Sequence, residues 1–477
     1  MGKALLICCK PHTLGLGKQN QQTRGPMSKR NQTLDLFPMV QGRKVEVDFE
    51  GGNVTSNGGA LLLGLADRAL GGLSHRIARC IPDKRRRSSC THTLPSMVRQ
   101  AVYSLCLGHE DLIDQRDLRH DIALQTAVGQ DKPLASDSTL GRIARLATPQ
   151  ANWKLNELLI DAYIESYRGK APQEIVLDFD ATDVQLHGTQ EGRFFHGHYN
   201  GYCYLPLFVF AGKHPLCAIL RPADRGPARG ALAVLAGLVH RLRRAWPKVR
   251  IIWRADAAYC RDHILRWCEG NGVGYVVGMQ PNSVLEKSSV AVRMEAEEIF
   301  FQTAQWQKLF DEVDYRAGTW KTLRRVIVKA EHNPLGPNTR YVATNLAGEP
   351  RHIYAEIYCA RGEMENRFKE TQTDLFGSRL SHGGFQENWM RLLMSTLAYV
   401  LQHTLRAIGL KGEKEERSTC STIRIKLLKI GAVVTRNTRR IRLHLSSNHP
   451  DETLFRKAFD RLAMAARLRG SPAPALA

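Results

Sequence analysis

Ile175-Val176-Leu177-Asp178-Phe179-Asp180-Ala181-Thr182-Asp183 is the stretch on which the reading of this chain turns. Its apolar run suits a strand buried in a sheet, and the run ends in three aspartates. Side chains alternate along a strand, so Asp178, Asp180 and Thr182 share one face. A carboxylate buried there must be paired, protonated or bound to a cation. Aspartates at the end of a buried strand therefore point to a metal, while aspartates capping the turn after the strand would leave the same pattern. Taken alone, the segment weighs the two equally.

Working outward, Val249 to Asp256 repeats the design: Val-Arg-Ile-Ile-Trp-Arg-Ala-Asp is a second apolar strand ending in an aspartate. Between the two, Gly192 to Phe210 is aromatic and β-branched around Asn200-Gly201, the strongest short-range hairpin signal, so two antiparallel strands are expected after the first. A helix over Arg229 to Ala245, a second over Tyr259 to Glu269 and a short strand at Tyr275 to Met279 complete the order. Three strands, helix, strand, helix, strand make an α/β fold with a mixed sheet and crossover helices. His187, His196, His198 and His214 lie nearby, but their spacing matches no metal template.

Around this core the chain divides by composition. Residues 1–45 are a polar, basic lead-in without a sustained period, in which Met27 before Ser-Lys-Arg is an alternative start. Residues 46–170 are helical, with helices over Leu61 to Leu70 and Ser96 to Leu107 and a third that Ser138 can cap; they form a domain for DNA binding or dimerisation. Its run Lys84-Arg85-Arg86-Arg87 either grips phosphate or is merely solvated. Residues 171–280 hold the first part of the core. Residues 281–350 read as a β-rich insertion, with strands at Arg324 to Ala330 and Arg340 to Asn345 and with Trp306 and Trp320 among them. Residues 351–410 hold the second part, with one helix over Arg351 to Thr371 and a long apolar one over Asn388 to Leu405. The basic region 411–477 carries 15 Lys and Arg against 6 Asp and Glu. There Arg440, Arg442 and His444 alternate with Ile441, Leu443 and Leu445, a strand whose basic face lies along a DNA backbone or blunts a sheet edge.

Charge and cysteine usage narrow the partners. Across 477 residues, 68 Lys and Arg against 46 Asp and Glu give +22, the footprint expected for a partner made of phosphates. Eleven scattered cysteines without a Cys-x-x-Cys pair argue against zinc and against a disulfide framework. Leu5 to Cys9 is cut short by Lys10 and Pro11, and Ala231 to Val239 is far too short to span a membrane. The expectation is a reducing, cytoplasmic protein.

The third element is Tyr358-Cys-Ala-Arg361-Gly-Glu363-Met-Glu365-Asn-Arg367-Phe-Lys369. On a helix Tyr358, Arg361, Glu365, Lys369 and Gln372 form one stripe, and Glu363 is rotated from it by roughly 200°. A salt-bridged surface helix would look the same.

Set side by side, the three elements resemble the DDE transposases of insertion sequences with a Tyr-x2-Arg-x3-Glu-x6-Lys signature. Asp178-Phe-Asp-Ala-Thr-Asp, Gly192-Arg-Phe-Phe-His-Gly and Arg361-Gly-Glu-Met-Glu-Asn are similar to the thirteen-eighty insertion-sequence family in particular, over roughly residues 45 to 460. The resemblance implies a bacterial protein with an RNase H-like core whose catalytic, metal-holding triad is Asp180, Asp256 and Glu365. It implies two Mg²⁺ or Mn²⁺ ions, which suit oxygen-only ligands. The expected reaction is strand cleavage at the terminal inverted repeats of an element, then strand transfer into target DNA. The expected partner is double-stranded DNA held by a homodimer. Tyr358, Arg361, Lys369, Trp306, Trp320, Arg440 and Arg442 are the DNA-binding candidates. The signature lysine would fall on position 372, where this chain has Gln, and Lys369 stands one turn earlier. Either tryptophan suits a core better than a DNA contact. Two rivals remain open: a standalone RNase H-like nuclease, and a non-catalytic DNA-binding relative.

Overall fold

The apolar run at 175 is an interior strand of a nine-stranded sheet in the computed structural model, which describes residues 39–167 and 169–469. The lead-in up to residue 38, with Met27, lies outside the described residues. The chain forms two units, 1–52 and 53–477; in the first, Val40 and Arg43 form an isolated antiparallel bridge.

The strands of the large sheet are β1 (Glu174–Ala181), β2 (Leu207–Ala211), β3 (His214–Ile219), β4 (Arg250–Ala255), β5 (Gly274–Met279), β6 (Gln307–Tyr315), β7 (Arg324–Asn333) and β8 (Arg340–Thr344). They lie in the order β3-β2-β1-β4-β5-β8-β7-β6, with Gly336–Pro337 paired to β7. β1, β4 and β5 are parallel and the other pairs antiparallel. Parallel neighbours need crossovers, supplied by helices α2 (Ala231–Ala245) and α3 (Asp262–Gly270). The mixed sheet and its strand order are therefore those expected of an RNase H-like core.

One face of the sheet buries Ile175, Leu177, Phe179, Trp253 and Val277 against α2 and α3. The other face carries Val176 and Ile252, which pack with Ile353 and Tyr354, and Phe208 and Phe210. Helix α1 (Pro149–Ser166) closes the β3 edge: Asn156 donates to the Ala218 carbonyl at 3.2 Å and accepts from its N–H at 2.8 Å, which occupies backbone groups that an edge strand leaves free.

Five sequence expectations are changed in the structure. Asn200 does take positive φ, 49°, but its hairpin, Phe194–His196 with Gly201–Tyr204, joins Val184–Gln185 in a separate three-stranded sheet. In the main sheet β2 and β3 turn instead at Gly212-Lys213, where Gly212 has φ 56°. β2 is buried at every residue, so it shows no alternation to read.

Residues 281–350 begin with helices, Ser283–Ser288 and α4 (Val290–Thr303), and β6 to β8 extend the main sheet rather than forming a module of their own. The stretch read as one helix, Arg351 to Thr371, is π-helical over Ile353–Tyr358, breaks at Cys359-Ala360, resumes as α5 (Arg361–Lys369) and ends in a π turn over Glu370–Asp374.

The helices of 46–170 are not a separate body. Leu62, Val98 and Leu155 share one core with Leu393 and Leu397 of α6 (Phe385–Thr404) and Leu462 of α7 (Glu452–Leu468). α6 is buried almost all round, and a helix that is apolar on every side needs cover on every side. The helix expected to start at Ser138 is capped by Ser136, whose hydroxyl accepts from the Thr139 N–H at 3.3 Å. The basic strand is found as Ile441–Leu445, an edge strand paired to Ala432–Arg436, which in turn pairs with Val54–Thr55. Among the described residues no helix is long and apolar enough to cross a membrane.

Candidate active site

β1 and β4 run parallel with Asp178 opposite Arg254 and Phe179 opposite Ala255. Both Asp178 and Arg254 are buried, and the guanidinium grips the carboxylate through two nitrogens, with Nη2 2.7 Å from Oδ2. A third nitrogen of Arg254 donates to the Ile357 carbonyl. Asp180 stands two residues further along β1 on the same face, and Asp256 is the first residue past the end of β4. Adjacent strands lie about 4.8 Å apart, so the register alone makes these two carboxylates neighbours. Asp180 accepts from the Ala181 N–H at 2.9 Å. Asp256 ends its strand and caps the 3₁₀ turn Ala257–Tyr259, accepting from Ala258 N–H at 2.9 Å. Asp183, past the strand, accepts from Gln185 at 2.7 Å and serves the turn.

α5 brings the third carboxylate through a cation. Arg361 Nη1 lies 3.4 Å from Asp180 Oδ2, and Nη2 lies 2.7 Å from Glu365 Oε1. Glu363 is exposed and stands outside this chain of ion pairs, while Met364 and Phe368 bury the inner side of the helix. Tyr358, from the π-helical segment, rests over Gly278 of β5: a Cβ at 278 would lie 2.5 Å from the phenol oxygen and 3.0 Å from the Ala257 nitrogen. Burial pushes the Tyr358 phenol up, opposed by Arg361 and helped by Asp256.

The cluster is short of positive charge. Burial raises the Asp180 carboxyl to about 6; Arg361 opposes the rise, and Asp256 and Glu365 add to it. One guanidinium serves two carboxylates here, whereas Asp178 has Arg254 to itself. Among the described residues no three His, Cys, Asp or Glu side chains already converge as a metal site. The donor chemistry nonetheless fits a hard divalent cation: the candidate donors are all carboxylate oxygens, and half-buried Asp180 shares its one ion-pair partner, Arg361, with Glu365.

The remaining sequence candidates scatter. Lys369 is exposed at the end of α5. Trp306 is 65% exposed just before β6. Trp320 is buried edge-on to Tyr315, with Arg324 over its ring at 4.8 Å, so that ring is packed in the core. Arg440 and Arg442 are exposed on the C-terminal hairpin, which belongs to a separate three-stranded sheet. Arg85 is tied to Asp83 at 2.8 Å. His214 is buried against His403, the ring nitrogens 3.2 Å apart.

Two site residues escaped the sequence reading. Arg254 sits two before Asp256 as Asp178 sits two before Asp180, and that shared offset was the available signal for a cross-strand pair. Gly278 interrupts an apolar strand, which marks the close approach of another group.

The chain matches the family described as Transposase DDE domain group 1 over residues 37–467. No curated protein matches it in sequence. The solved structures similar to it include a piggyBac transposase synaptic complex with hairpin DNA, at 12% identity and a TM-score of 0.38, with 87% of this chain and 82% of that chain covered.

Proposed function

The chain belongs to the DDE-domain transposases, and from that premise we propose that it cuts DNA at the ends of a bacterial mobile element and joins the freed strand to target DNA. Asp180, Asp256 and Glu365 are the residues that would hold its divalent ions, Mg²⁺ or Mn²⁺. The observation that carries this reading is the pair Asp180 and Asp256 on neighbouring parallel strands, linked through Arg361 to Glu365. Bound there, the ions would supply an activated water and a stabilised leaving oxygen.

The chain's own residues set the rest. Arg254 holds Asp178 and so fixes the strand pair beneath the two aspartates. Arg361 keeps Asp180 and Glu365 together in the free protein and offers a planar, two-pronged donor to phosphate oxygens when DNA enters. Tyr358, seated in the gap left by Gly278, presents its hydroxyl beside Asp256. The net charge of +22 supports a polyanionic partner. Function as a homodimer on double-stranded DNA, membership of the thirteen-eighty insertion-sequence family and a place in the cytoplasm at the nucleoid belong to the same proposal.

The test is Mg²⁺-dependent cleavage and joining of DNA carrying the element's terminal repeats. Wild type is expected to cut and join, Glu365→Gln to do neither, and Glu363→Gln to keep most activity. Equal loss in the two variants would move the third ligand to Glu363. Cutting without joining would select a standalone nuclease, and repeat binding with no cutting in any metal would select a non-catalytic DNA-binding relative.

A further inference from the structure

Three helices enclose a cavity that lies outside the carboxylate site. The helix Leu94–Cys106, the helix Asp137–Ala144 and α6 contribute most of its wall, around about 290 Å³ of space. Leu105, Leu140, Ile143, Met390 and Met394 make a buried apolar floor, and exposed Asp111, Arg379 and Ser381 stand at the mouth. Gly141 keeps the space open from one side, at a position inside a helix where alanine would be the better helix former. A Cβ there would meet Leu112 Cδ1 at 3.3 Å and would otherwise point into open space.

One charge in the wall lacks a close counter-charge. Arg391 of α6 is partly buried, and its terminal nitrogens donate to neutral acceptors, Nη1 to Ser395 Oγ at 3.2 Å and Nη2 to the Glu110 carbonyl at 3.1 Å. Among the described residues no carboxylate forms an ion pair with it. Burial pulls its guanidinium down to about 10, and Asp111 at the mouth opposes this. The fully buried arginines elsewhere are each closed by a carboxylate: Arg254 by Asp178, Arg324 by Asp262 and Glu269, and Arg406 by Glu370. The other basic groups of the cavity are occupied. Arg379 pairs with Glu110, His109 lies 3.1 Å from Lys429 Nζ, and burial holds His382 below the usual histidine range, against Glu387.

We propose that this cavity binds a small amphipathic carboxylate, with its apolar body on the floor of leucine, isoleucine and methionine and its carboxylate on Arg391. Each terminal nitrogen of Arg391 keeps a second N–H, and a guanidinium meets a carboxylate with paired donors and a full counter-charge, which a hydroxyl and a carbonyl do not supply. A concave apolar floor with a few convergent polar groups is the usual make-up of a small-molecule site. The segment joining α5 to α6 supplies Arg379, Ser381 and His382 to the wall. This inference stands apart from the transposase reading, so neither falls with the other.

The full-length protein is titrated by calorimetry with 2-naphthoate and with 2-naphthylmethanol, which keeps the rings and loses the charge. Salt is set high enough to screen the net charge of +22. Wild type is expected to bind naphthoate saturably, one per chain, and roughly tenfold more tightly than the alcohol, as suits a charge-assisted hydrogen bond. Arg391→Met should bring the two affinities within about threefold of each other by removing that bond. Gly141→Leu fills the cavity and should abolish binding of both probes. The two variants change different walls, so a fold lost in one leaves the other to decide. Wild type without saturable naphthoate binding, or with equal affinity for the two probes, would overturn the proposal. So would a preference undiminished in Arg391→Met, or naphthoate binding that survives Gly141→Leu, which would assign the probe to the basic surface.

Discussion

Asp178 and Asp180 lie two residues apart on the same face of β1, and their surroundings differ by one layer of the sheet. In the inner layer Asp178 meets Arg254 across the strand gap, with both groups buried. In the outer layer Asp180 meets another aspartate, Asp256, across the same gap, and only Arg361, from a separate helix, reaches it at 3.4 Å. The inner layer is a closed ion pair and the outer layer is open to a further cation. Position in the sheet thus separates structure from chemistry more cleanly than residue type does. A strand delivers equivalent side chains at a regular step, and the neighbouring strand decides which of them is neutralised.

The sharpest way to break this comparison is to exchange the roles. Asp180→Asn and Asp256→Asn are each expected to lower Mg²⁺-dependent cleavage by well over the roughly 10- to 100-fold that an outer-shell partner costs, with end binding in a gel-shift assay largely retained. A cleavage defect below tenfold in either would place that residue outside the ligand set.

Asp178→Asn should act on folding instead. It leaves Arg254 buried without a counter-charge, a change worth about 3–5 kcal/mol, to be read as a lower urea midpoint at unchanged slope. Replacing both partners, Asp178→Leu with Arg254→Met, should recover most of that loss, since apolar pairs of similar volume are often neutral. A stable Asp178→Asn protein with dead chemistry would make the inner layer catalytic after all.

The outer layer carries its own pH signature in metal-free protein. The Asp180 carboxyl is raised to about 6 in the fold from about 3.9 when unfolded. Its contribution is therefore most favourable below pH 4 and is lost as pH rises from 4 through 6. The loss is of order 2–3 kcal/mol at about 1.4 kcal/mol per pKa unit. Asp180→Asn should match wild type in stability at pH 4 and exceed it at pH 7.5, with chelator present in both. A gap that does not change between those pH values would remove the uncompensated charge from the account.

The smallest expected effect concerns the floor of the site. Gly278→Ala puts a Cβ 2.5 Å from the Tyr358 oxygen and should cost about 1–3 kcal/mol as overpacking. Tyr358→Phe, which removes that oxygen, should relieve part of the cost in a double-mutant cycle. Strictly additive losses would show that the two positions do not touch.

Much of this was legible before folding was considered. The strand at 175, the second aspartate-ended strand, the crossover helices and the Arg361–Glu365 spacing all follow from local periodicity, and local periodicity survives packing. Elsewhere that logic fell short, for identifiable reasons. β2 is buried throughout and so carries no alternation. The Asn200-Gly201 turn is a true hairpin, but a turn signal does not say which sheet its strands join. The helix drawn through Tyr358 is broken at Cys359-Ala360, after a π-helical segment whose Tyr354 and Tyr358 pack against the sheet, and side-chain spacing does not separate α from π hydrogen bonding.

The sequence by itself determined which carboxylates were available, in what order and on which kind of element, because those follow from residue type and from steps of two and of three to four. Only the tertiary structure decided that Arg254 neutralises Asp178 and not Asp180, that Arg361 joins Asp180 to Glu365 and that Trp320 is core. Each of these depends on strand register or helix docking between segments dozens to hundreds of residues apart, and charge compensation is a property of such neighbours in space, which no local pattern encodes.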